Sequence, residues 1–489
     1  MTENPRFDVP ANYIDGEWTA PSTIARAEVY DSNTGSVIGS APLSSSTDVD
    51  SAVVAAKRAQ PLWWALTGAQ RAEHLRRVAR ELEARHDRLT QLITMEVGAN
   101  QEIASGSQTM TPVMSFDIAA DLAETYDFVE VLGDNRIVRE PVGVVGAITA
   151  WNFPLHLVTV KAAFAIAAGN TVVVKPSEIA PLTAAVFAEA LAAAELPAGV
   201  INIVFGDGAG VGEAIVAHPD VRMISFTGST RAGRRIGEVA AQKVAKVALE
   251  LGGKSPLVVL PGAPLDEAVR FGVNDILLNN GQRCDGFTRL VVPRADLAEV
   301  ERIAGEAMAE RVVGASSDPA NQVGPLASKA QQERVLGFID AGVREGAKLV
   351  VGGPGAPELP EENRSGYFIR PTVFSEVTPE MTIAREEIFG PVLSIQAYDD
   401  VEEAVQIAND TEYGLAAGVF GKDDESALEV AARLEAGMVT VNGGAMDILA
   451  PFGGYKQSGI GREFGRYGFE EFLEVKAVRL PGGNAAATV

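Results

Sequence analysis

The sequence predicts an α/β fold in which parallel sheets are covered by helices. Strand-like apolar runs alternate with helix-like segments between residues 141 and 251, which is typical of βαβ units. A second region, from residue 268 to residue 441, repeats the alternation less regularly. A hairpin pattern near Gly133 and a strand pattern near the carboxyl terminus stand apart. The 489 residues exceed what one hydrophobic core serves, so we expect at least two domains.

In the first region, polar or glycine-containing segments follow the strands, and ligands of parallel sheets bind at those carboxyl ends. Residues 48–105, which precede it, are mostly helical in pattern because apolar residues recur at helical spacing. The predicted strands are Val142–Ala150, Thr171–Lys175, Val200–Phe205, Met223–Phe226 and Val244–Glu250. The predicted helices are Leu155–Ala168, Leu182–Leu191, Val211–Ala217 and Arg231–Ala241.

The second region begins after Gly252-Gly253, where we place the domain change. Residues 1–123 and 141–251 are expected to form one domain and residues 252–470 the other. The predicted helices of the second domain are Ala268–Leu278, Leu297–Ala309, Gln331–Glu345, Val401–Asn409 and Glu425–Leu434. Its predicted strands are Thr288–Val292, Leu349–Val351, Val392–Ile395 and Val439–Val441.

The hairpin and the terminal strand form the third predicted part. Apolar residues flank the turn Gly133-Asp134-Asn135, and Phe472–Leu480 reads as a strand without a local partner. An edge strand leaves backbone N–H and C=O groups unpaired, and oligomerisation can cover them. Residues 124–140 and 471–489 are therefore expected to pair with a second subunit. The last eight residues, 482–489, read as a frayed tail.

Composition excludes several classes of function. The 41 Lys and Arg against 65 Asp and Glu give a net charge of −24, which disfavours nucleic acids and anionic membranes. Cys284 is the only cysteine and the four histidines are scattered, so neither a disulfide nor a structural metal site is expected. The polar start, Met1–Pro10, and the absence of a long apolar run predict a cytoplasmic protein.

Cys284 has two possible interpretations. A lone cysteine is usually an inert apolar residue, but this one lies in the polar, glycine-punctuated stretch Asn279–Gly286. The neighbouring Arg283 would favour the nucleophilic thiolate, whereas Asp285 would oppose it. The sequence therefore leaves the direction of the thiol pKa shift open.

Polar or glycine-containing segments follow four of the predicted strands. Asn152, in Trp151-Asn152-Phe153-Pro154, could cap a helix or donate a hydrogen bond to an oxyanion. Lys175 and Glu178 could hold a ribose diol or form an exposed ion pair. The segment Gly206–Gly212 lacks the usual dinucleotide-binding spacing because residue 211 is valine. Phe226-Thr227-Gly228-Ser229, which opens a helix, is the better phosphate site.

Two carboxylates are candidates for chemistry. Glu250 ends a strand between two leucines, where burial would raise its pKa and suit it to act as a general base. Glu387 lies beside Phe389. Each could equally be an ordinary charged residue facing solvent.

In their order along the chain, these segments resemble the NAD(P)-dependent aldehyde dehydrogenase superfamily, from about Tyr13 to Val478. The resemblance rests on an ordered set of motifs rather than on any one of them. The motifs are Trp151-Asn152-Phe153-Pro154, Lys175-Pro176-Ser177-Glu178, Phe226-Thr227-Gly228-Ser229, Glu250-Leu251-Gly252-Gly253-Lys254, Gly281-Gln282-Arg283-Cys284, Glu387-Ile388-Phe389-Gly390-Pro391 and Pro451-Phe452-Gly453-Gly454.

The resemblance implies a Rossmann-like cofactor domain, an α/β catalytic domain and a small β oligomerisation arm in a homodimer or homotetramer. It implies Cys284 as the nucleophile, Glu250 as the base that activates water, and Asn152 with the Cys284 N–H as the oxyanion hole. Lys161 and Glu463 fit positions with proton-relay roles. The residues implied around NAD are Thr149, Trp151, Lys175, Ser177, Glu178, Gly208, Gly212, Phe226, Ser229, Leu251, Gly252, Glu387 and Phe389.

The resemblance also suggests which residues line the aldehyde site, and no metal is implied. The implied wall residues are Phe153, His156, Val160, Arg283 and Asp285, with Asp447–Leu449 closing the mouth. Arg283 could hold an anionic substrate group, but the nearby carboxylates favour an uncharged apolar or aromatic aldehyde. A semialdehyde or phosphorylated aldehyde is the alternative substrate.

Three further functions compete with hydrolytic aldehyde oxidation. A CoA-acylating relative often lacks the glutamate base, so Glu250 argues against it. A non-catalytic protein on the same scaffold need not keep Cys284, Asn152 and Glu250 together. An esterase that uses Cys284 without a cofactor is the third.

Overall fold

Two large sheets organise the chain. The computed structural model describes residues 6–481, so residues 1–5 and the predicted tail 482–489 lie outside the described residues. The first sheet has eight strands and the second has seven. Smaller sheets are formed near the amino terminus by Phe7–Asp8, Val37–Pro42 and Arg26–Tyr30, and elsewhere by Tyr413–Gly414 with Tyr455–Lys456.

The eight-stranded sheet has five parallel strands at its centre. Across the sheet the strands are Gly459–Ile460, Lys246–Glu250, Val221–Thr227, Val144–Ile148, Thr171–Lys175, Ile201–Ile203, Asn12–Ile14 and Glu17–Thr19. The order of the connections reverses between Val144–Ile148 and Val221–Thr227. Such a switch point opens a crevice at the carboxyl ends of the strands.

Helices cover both faces of this sheet. Pro154–Ala167 is buried almost all round because its sequence is nearly continuous in apolar residues, and Pro154 begins it without needing a backbone donor. Ser107–Thr125 packs against it. The other helices of this region are Ser46–Trp64, Gly68–Glu83, His86–Glu96, Gln101–Ser105, Leu182–Ala193, Glu213–Ala217 and Thr230–Gln242.

The seven-stranded sheet is parallel except at one edge. Its strands, in order, are Lys348–Val351, Thr372–Ser375, Val392–Tyr398, Phe287–Pro293, Ser255–Val259, Ala416–Phe420 and Met438–Val441. Its helices are Leu265–Leu277, Leu297–Ala309, Lys329–Arg344, Thr382–Arg385, Val401–Asn409 and Asp424–Ala431.

Three strands of this sheet have no counterpart in the sequence prediction: Ser255–Val259, Thr372–Ser375 and Ala416–Phe420. Pro256 and Gly418 lower the strand propensity of two of them. Gly418 is required by packing, because a Cβ there would lie 2.5 Å from Cδ1 of Leu257. The partner strands, and not local propensity, therefore hold these segments extended.

The chain passes from the first sheet to the second between Glu250 and Ser255 and later returns. Gly459–Ile460 pairs with Lys246–Glu250, and the helix Gly465–Glu471 packs on the first core through Phe469. Residues that the sequence assigns to the second domain thus complete the first sheet.

The predicted hairpin and terminal strand join each other. Leu473–Arg479 pairs antiparallel with Asn135–Pro141, which pairs antiparallel with Val129–Leu132. The two outer strands keep free edges and expose apolar side chains, among them Val131 and Val475. Across residues 6–481, no helix combines the length and apolar character needed to cross a membrane.

Candidate active site

Two cavities meet at Cys284. One, of about 420 Å³, is lined mostly by apolar side chains. The other, of about 240 Å³, lies in the crevice at the switch point of the first sheet. Asn152, Thr227, Glu250 and Cys284 line both. The three residues predicted to carry the chemistry are thus brought together from both sheets.

The loop that presents Cys284 is held in an uncommon backbone conformation. Asn279, Asn280 and Gly281 have φ of 51°, 59° and 73°, a region that L-residues rarely adopt. The Asn280 amide stabilises it by donating to the carbonyl oxygens of Gly98 at 2.7 Å and Pro325 at 2.9 Å. A Cβ at Gly281 would lie 2.2 Å from the backbone of Gly390. Cys284, the predicted nucleophile, therefore lies on a loop that tertiary contacts fix.

Asn152 connects the first sheet to that loop. The side-chain Nδ2 of Asn152 donates to the backbone carbonyl oxygen of Gln282 at 3.0 Å. The backbone carbonyl oxygen of Asn152 accepts from Asn279 Nδ2 at 2.9 Å. Gln108 Nε2 donates to the same carbonyl at 3.2 Å. An amide carries two N–H groups, so one remains for an atom in the cavity.

The electrostatics of Cys284 and Glu250 are coupled. Burial raises the pKa of the Cys284 thiol well above its ordinary value, and the Glu250 and Asp285 carboxylates raise it further. Burial likewise raises the pKa of Glu250, with the like charge of Glu463 adding to the effect. Oε1 of Glu250 is buried without a hydrogen-bond partner, and each of the two groups shifts the pKa of the other. Cys284 and Glu250 are therefore close enough for their titrations to be linked.

Lys161 and Glu463 form a buried ion pair beside Glu250. The positive charge of Lys161 lowers the pKa of Glu250 and so opposes the effect of Glu463. Both residues come from elements far apart in sequence, the helix Pro154–Ala167 and the segment after Gly461. The two residues shift the pKa of Glu250 in opposite directions. Neither lines the crevice, whereas Glu463 lines the apolar cavity.

Arg283 does not present a free charge to the cavity. Its guanidinium bonds Asp285 through Nη2 at 2.7 Å and Nε at 3.1 Å, and Asp275 through Nη1 at 3.0 Å. Burial lowers the pKa of Arg283, but Asp285 and Asp275 more than offset that effect, so the pKa is raised. The Asp275 and Asp285 carboxylates neutralise the Arg283 cation, so Arg283 does not favour the Cys284 thiolate. The direction of the thiol pKa shift, which the sequence left open, is therefore upward.

The switch-point crevice contains most of the residues predicted near the pyrophosphate and nicotinamide. Trp151, Ser229, Leu251, Gly252, Glu387 and Phe389 line it. Ser229 caps the helix Thr230–Gln242, whose amino terminus favours anions. Glu387 accepts from the Gly253 N–H at 3.0 Å, and burial raises its pKa to about 7.

Thr227 and Gly228, which belong to the predicted phosphate motif, also line the crevice, whereas sequence reasoning missed Ala150, Gln331 and Arg334. Phe226, by contrast, packs in the core with its ring against Gly228, so its side chain does not line the crevice. Gly228 has no side chain because a Cβ would lie 2.5 Å from that ring.

The residues predicted at the adenosine end lie at neighbouring strand ends. Lys175 ends the strand Thr171–Lys175, and its Nζ pairs with Glu178 Oε2 at 2.5 Å. The Thr149 N–H donates to the carbonyl of Lys175, and Ser177 Oγ accepts from the Ile179 N–H.

Gly208 and Gly212 bound a π-helical turn that Asp207 caps, and not the start of a regular helix. None of Lys175, Ser177, Glu178, Thr149, Gly208 and Gly212 lines the 240 Å³ crevice itself.

Four residues of the predicted wall, Phe153, His156, Arg283 and Asp285, line the apolar cavity. Val160 does not line it. Val160 lies one helical turn beyond His156 and borders a separate small space, and Phe464 lines both spaces.

One residue of the predicted mouth loop lines the cavity. Ile448 lines the cavity together with Met446, whereas the Asp447 carboxylate turns back to accept from the Leu449 N–H at 2.8 Å. Ser107, Thr111 and Met114 were missed. Their i, i+4, i+7 spacing places them on one face of the helix Ser107–Thr125, and this spacing could have indicated from the sequence that they lie together.

A cysteine shared by an apolar cavity and a crevice at the switch point of a parallel sheet is the arrangement expected of an enzyme that holds a nucleotide cofactor beside a nucleophile. Within the described residues, no group of three or more His, Cys, Asp or Glu is arranged to hold a metal ion. Residues 18–478 match the model described as "Aldehyde dehydrogenase family". The chain belongs to the aldehyde dehydrogenase family.

Similar proteins agree with this assignment. A relative named 3-succinoylsemialdehyde-pyridine dehydrogenase, from a Pseudomonas species, is 49% identical over 95% of this chain and 97% of its own. Aldehyde dehydrogenase C of Pseudomonas syringae, crystallised with NAD+ and octanal, is 46% identical and superposes with a TM-score of 0.94. The match covers 98% of this chain and 97% of the Pseudomonas syringae chain.

The Mycobacterium tuberculosis aldehyde dehydrogenase complexed with NAD+ is 40% identical with a TM-score of 0.94, covering 98% of this chain and 99% of its own. The predicted family, α/β fold class and NAD-dependent aldehyde dehydrogenase activity are confirmed.

Proposed function

We propose that this enzyme oxidises uncharged, apolar or aromatic aldehydes to carboxylic acids, with Cys284 as nucleophile and Glu250 as the base for hydrolysis. The observation that carries the substrate class is the 420 Å³ cavity with apolar walls, in which the one lining arginine, Arg283, is bonded to two carboxylates. An anionic group in that cavity would meet no unpaired cation among the lining residues.

The residues of the crevice fit NAD. The hydroxyl of Thr227, which lines the crevice, is buried without a partner, and so is that of Thr149 beside Lys175 at the neighbouring strand ends. Buried polar atoms normally have a partner. Ser229 and the helix amino terminus behind it would hold the pyrophosphate, Glu387 the nicotinamide ribose, and Phe389 would lie beside the nicotinamide. Lys175 and Glu178 would bind the adenosine ribose. NAD, when bound, accepts the hydride from the substrate carbon.

In the first half of the mechanism, the substrate becomes covalently attached to Cys284. The thiol proton passes to the Glu250 carboxylate, and the sulfur adds to the aldehyde carbon. The second N–H of Asn152 and the Cys284 backbone N–H hold the oxyanion that forms. When hydride leaves, the oxyanion collapses to a thioester on Cys284.

Water completes the second half. Glu250 takes a proton from water, which attacks the thioester, releasing the carboxylate and restoring the thiol. Glu463 and Lys161 form the charged pair through which Glu250 can exchange its proton. Overall, aldehyde, NAD+ and water give carboxylate, NADH and two protons.

Two relatives support the substrate class. One was crystallised with octanal, an apolar aldehyde, and another is named for a semialdehyde that carries a pyridine ring. The deciding experiment measures NADH formation by the purified protein with octanal, benzaldehyde, succinate semialdehyde and glyceraldehyde 3-phosphate. We expect higher kcat/KM for the first two. The reverse order would restore Arg283 as an anion anchor.

We also propose that residues 1–123 with 141–251 form the NAD-binding domain and residues 252–470 the catalytic domain. In support, the two sheets divide between Glu250 and Ser255. Gly459–Ile460 and Gly465–Glu471 belong structurally with the first sheet despite their position in sequence. Limited proteolysis between residues 250 and 255, with and without NAD, would test the division.

We further propose a cytoplasmic homodimer or homotetramer in which the arm, residues 124–140 and 471–481, covers a partner subunit. The free edges of Val129–Leu132 and Leu473–Arg479 support it, as do Val131 at 47% and Val475 at 68% exposure. Light scattering of the wild type and of Val131→Lys would test it. Unchanged mass in a folded Val131→Lys protein would count against this surface.

A further inference from the structure

His156 is a polar residue in the wall of the apolar cavity. It lies on the helix Pro154–Ala167, and its ring packs edge-on against Phe153 at 6.4 Å between centroids. Phe464 lies on its other side, with centroids 5.5 Å apart. Two aromatic rings therefore fix the plane of the imidazole where it borders the cavity.

The imidazole has no hydrogen-bond partner in the described part of the chain. Nδ1 is buried and unpartnered, and the one side-chain hydrogen bond to His156 among the described residues is donated by the Thr159 hydroxyl to the His156 backbone oxygen. A buried polar atom without a partner costs free energy. Because Nδ1 is sealed off, Nε2 is the ring nitrogen that a substrate atom in the cavity could reach.

His156 is neutral at physiological pH. Burial lowers its pKa to about 4, and the positive charge of Lys161 acts in the same direction. A neutral imidazole has one N–H donor and one acceptor nitrogen. It suits an uncharged acceptor atom better than a carboxylate or phosphate.

Other polar side chains of the wall are less well placed for this role. Ser107 Oγ donates to the carbonyl of Ile103 at 3.3 Å, and Arg283 is bonded to two carboxylates. Thr227 also has a buried hydroxyl without a partner, but it lies where the two cavities meet at Cys284 and would face the aldehyde carbon rather than a distant acceptor atom. Thr111, on the neighbouring helix Ser107–Thr125 and outside the crevice, remains as the competing donor for a distant acceptor.

We propose that His156 is a specificity-determining residue whose ring N–H binds an uncharged acceptor atom, a ketone oxygen or a heteroaromatic nitrogen, on an otherwise apolar aldehyde. This inference rests on the proposed function, since it places the aldehyde carbon at Cys284. The hydrogen bond from His156 would let the cavity select aldehydes by the position of an acceptor atom, in addition to their size and apolar character.

The test compares matched aldehydes within each variant. The pairs are hexanal with 5-oxohexanal and benzaldehyde with pyridine-3-carbaldehyde, and the readout is the ratio of kcat/KM within each pair with NAD. A neutral hydrogen bond changes such a ratio by about 3–10-fold. We expect His156→Phe, which keeps an aromatic ring, to lower the preference for the acceptor-bearing member of each pair by that factor.

Two further variants separate the proposal from simpler outcomes. His156→Gln keeps a donor and should retain part of the preference, whereas Thr111→Val should leave the ratio unchanged. An unchanged ratio in His156→Phe, or an equal fall in Thr111→Val, overturns the proposal. Because each ratio is measured on one preparation, a partly unfolded variant still gives a valid result.

The two levels of proposal fail differently. If none of the four aldehydes yields NADH, the proposed function fails and this inference fails with it. If the aldehydes are oxidised and the ratio does not respond to His156→Phe, only the inference fails.

Discussion

The amide of Asn152 donates a hydrogen bond to the carbonyl oxygen of Gln282, with 3.0 Å between Nδ2 and oxygen. That bond ties the end of a strand in the first sheet to the loop that presents Cys284. It uses one N–H of the amide and leaves the other for the cavity. The same side chain can therefore position the nucleophile and hold the oxyanion.

Asn152→Ala should lower the rate of hydride transfer by about 10²–10³, the usual loss when one oxyanion-hole donor is removed. Asn279→Ala is the matched control, because it loosens the same loop through Asn279 Nδ2 without removing the oxyanion donor. Single-turnover NADH formation measures both. Equal losses in the two variants would make Asn152 a positioning residue only.

Cys284→Ala should abolish aldehyde oxidation while the protein still binds NAD. The chain has no other thiol to form a thioester, so we expect a fall of at least about 10³ in kcat. Fluorescence titration checks NAD binding in the same preparation. Turnover close to wild type would disprove the covalent mechanism.

Glu250→Gln should slow hydrolysis of the thioester more than its formation. The expected trace is a burst of NADH, itself slower than in the wild type because Glu250 also takes the thiol proton, followed by still slower turnover because glutamine cannot take the proton of water. Acid quench after the burst should trap acyl enzyme. If only the burst were slowed, Glu250 would serve the thiol and not the water.

The pH profile of hydrolysis should report the environment of Glu250. Burial and the Glu463 charge hold its pKa above the ordinary carboxyl value, and only the ionised form is a base. The rate should therefore rise with pH through that raised pKa. Glu463→Gln removes the like charge, which lowers the pKa, so its profile should shift to lower pH; a shift to higher pH would contradict this account.

Glu178→Gln should relax the preference for NAD over NADP. The Glu178 carboxylate would repel a 2′-phosphate, and it also occupies the Lys175 ammonium at 2.5 Å. We expect kcat/KM with NADP to rise about tenfold, equivalent to about 1.4 kcal/mol. Glu189→Gln removes the same charge from a more distant, exposed pair with Arg88 and should not change the ratio.

Arg283→Met should reduce stability rather than select against anionic aldehydes. It leaves the Asp275 and Asp285 carboxylates without their cation in a buried site, and breaking a buried pair costs about 3–5 kcal/mol. The free energy of unfolding measures this loss. A stable Arg283→Met protein that had lost only the use of succinate semialdehyde would show that Arg283 binds substrate.

Local pattern was sufficient for the regular part of the fold. The alternation between residues 141 and 251 predicted all five parallel strands of the first sheet because continuous β-branched runs and alanine-rich helices leave little choice. Ser255–Val259 and Ala416–Phe420 were missed, since Pro256 and Gly418 carry no strand signal and the neighbouring strands supply it.

By itself, the sequence determined the family and predicted the nucleophile and the residues at each strand end, because those depend on residue type and order along the chain. Only the tertiary structure decided their electrostatics. It paired Arg283 with two carboxylates, buried Glu250 beside Glu463, and placed Val160 at a small space separate from the apolar cavity. Burial and charge depend on neighbours brought from distant parts of the chain, and no local pattern encodes those distances.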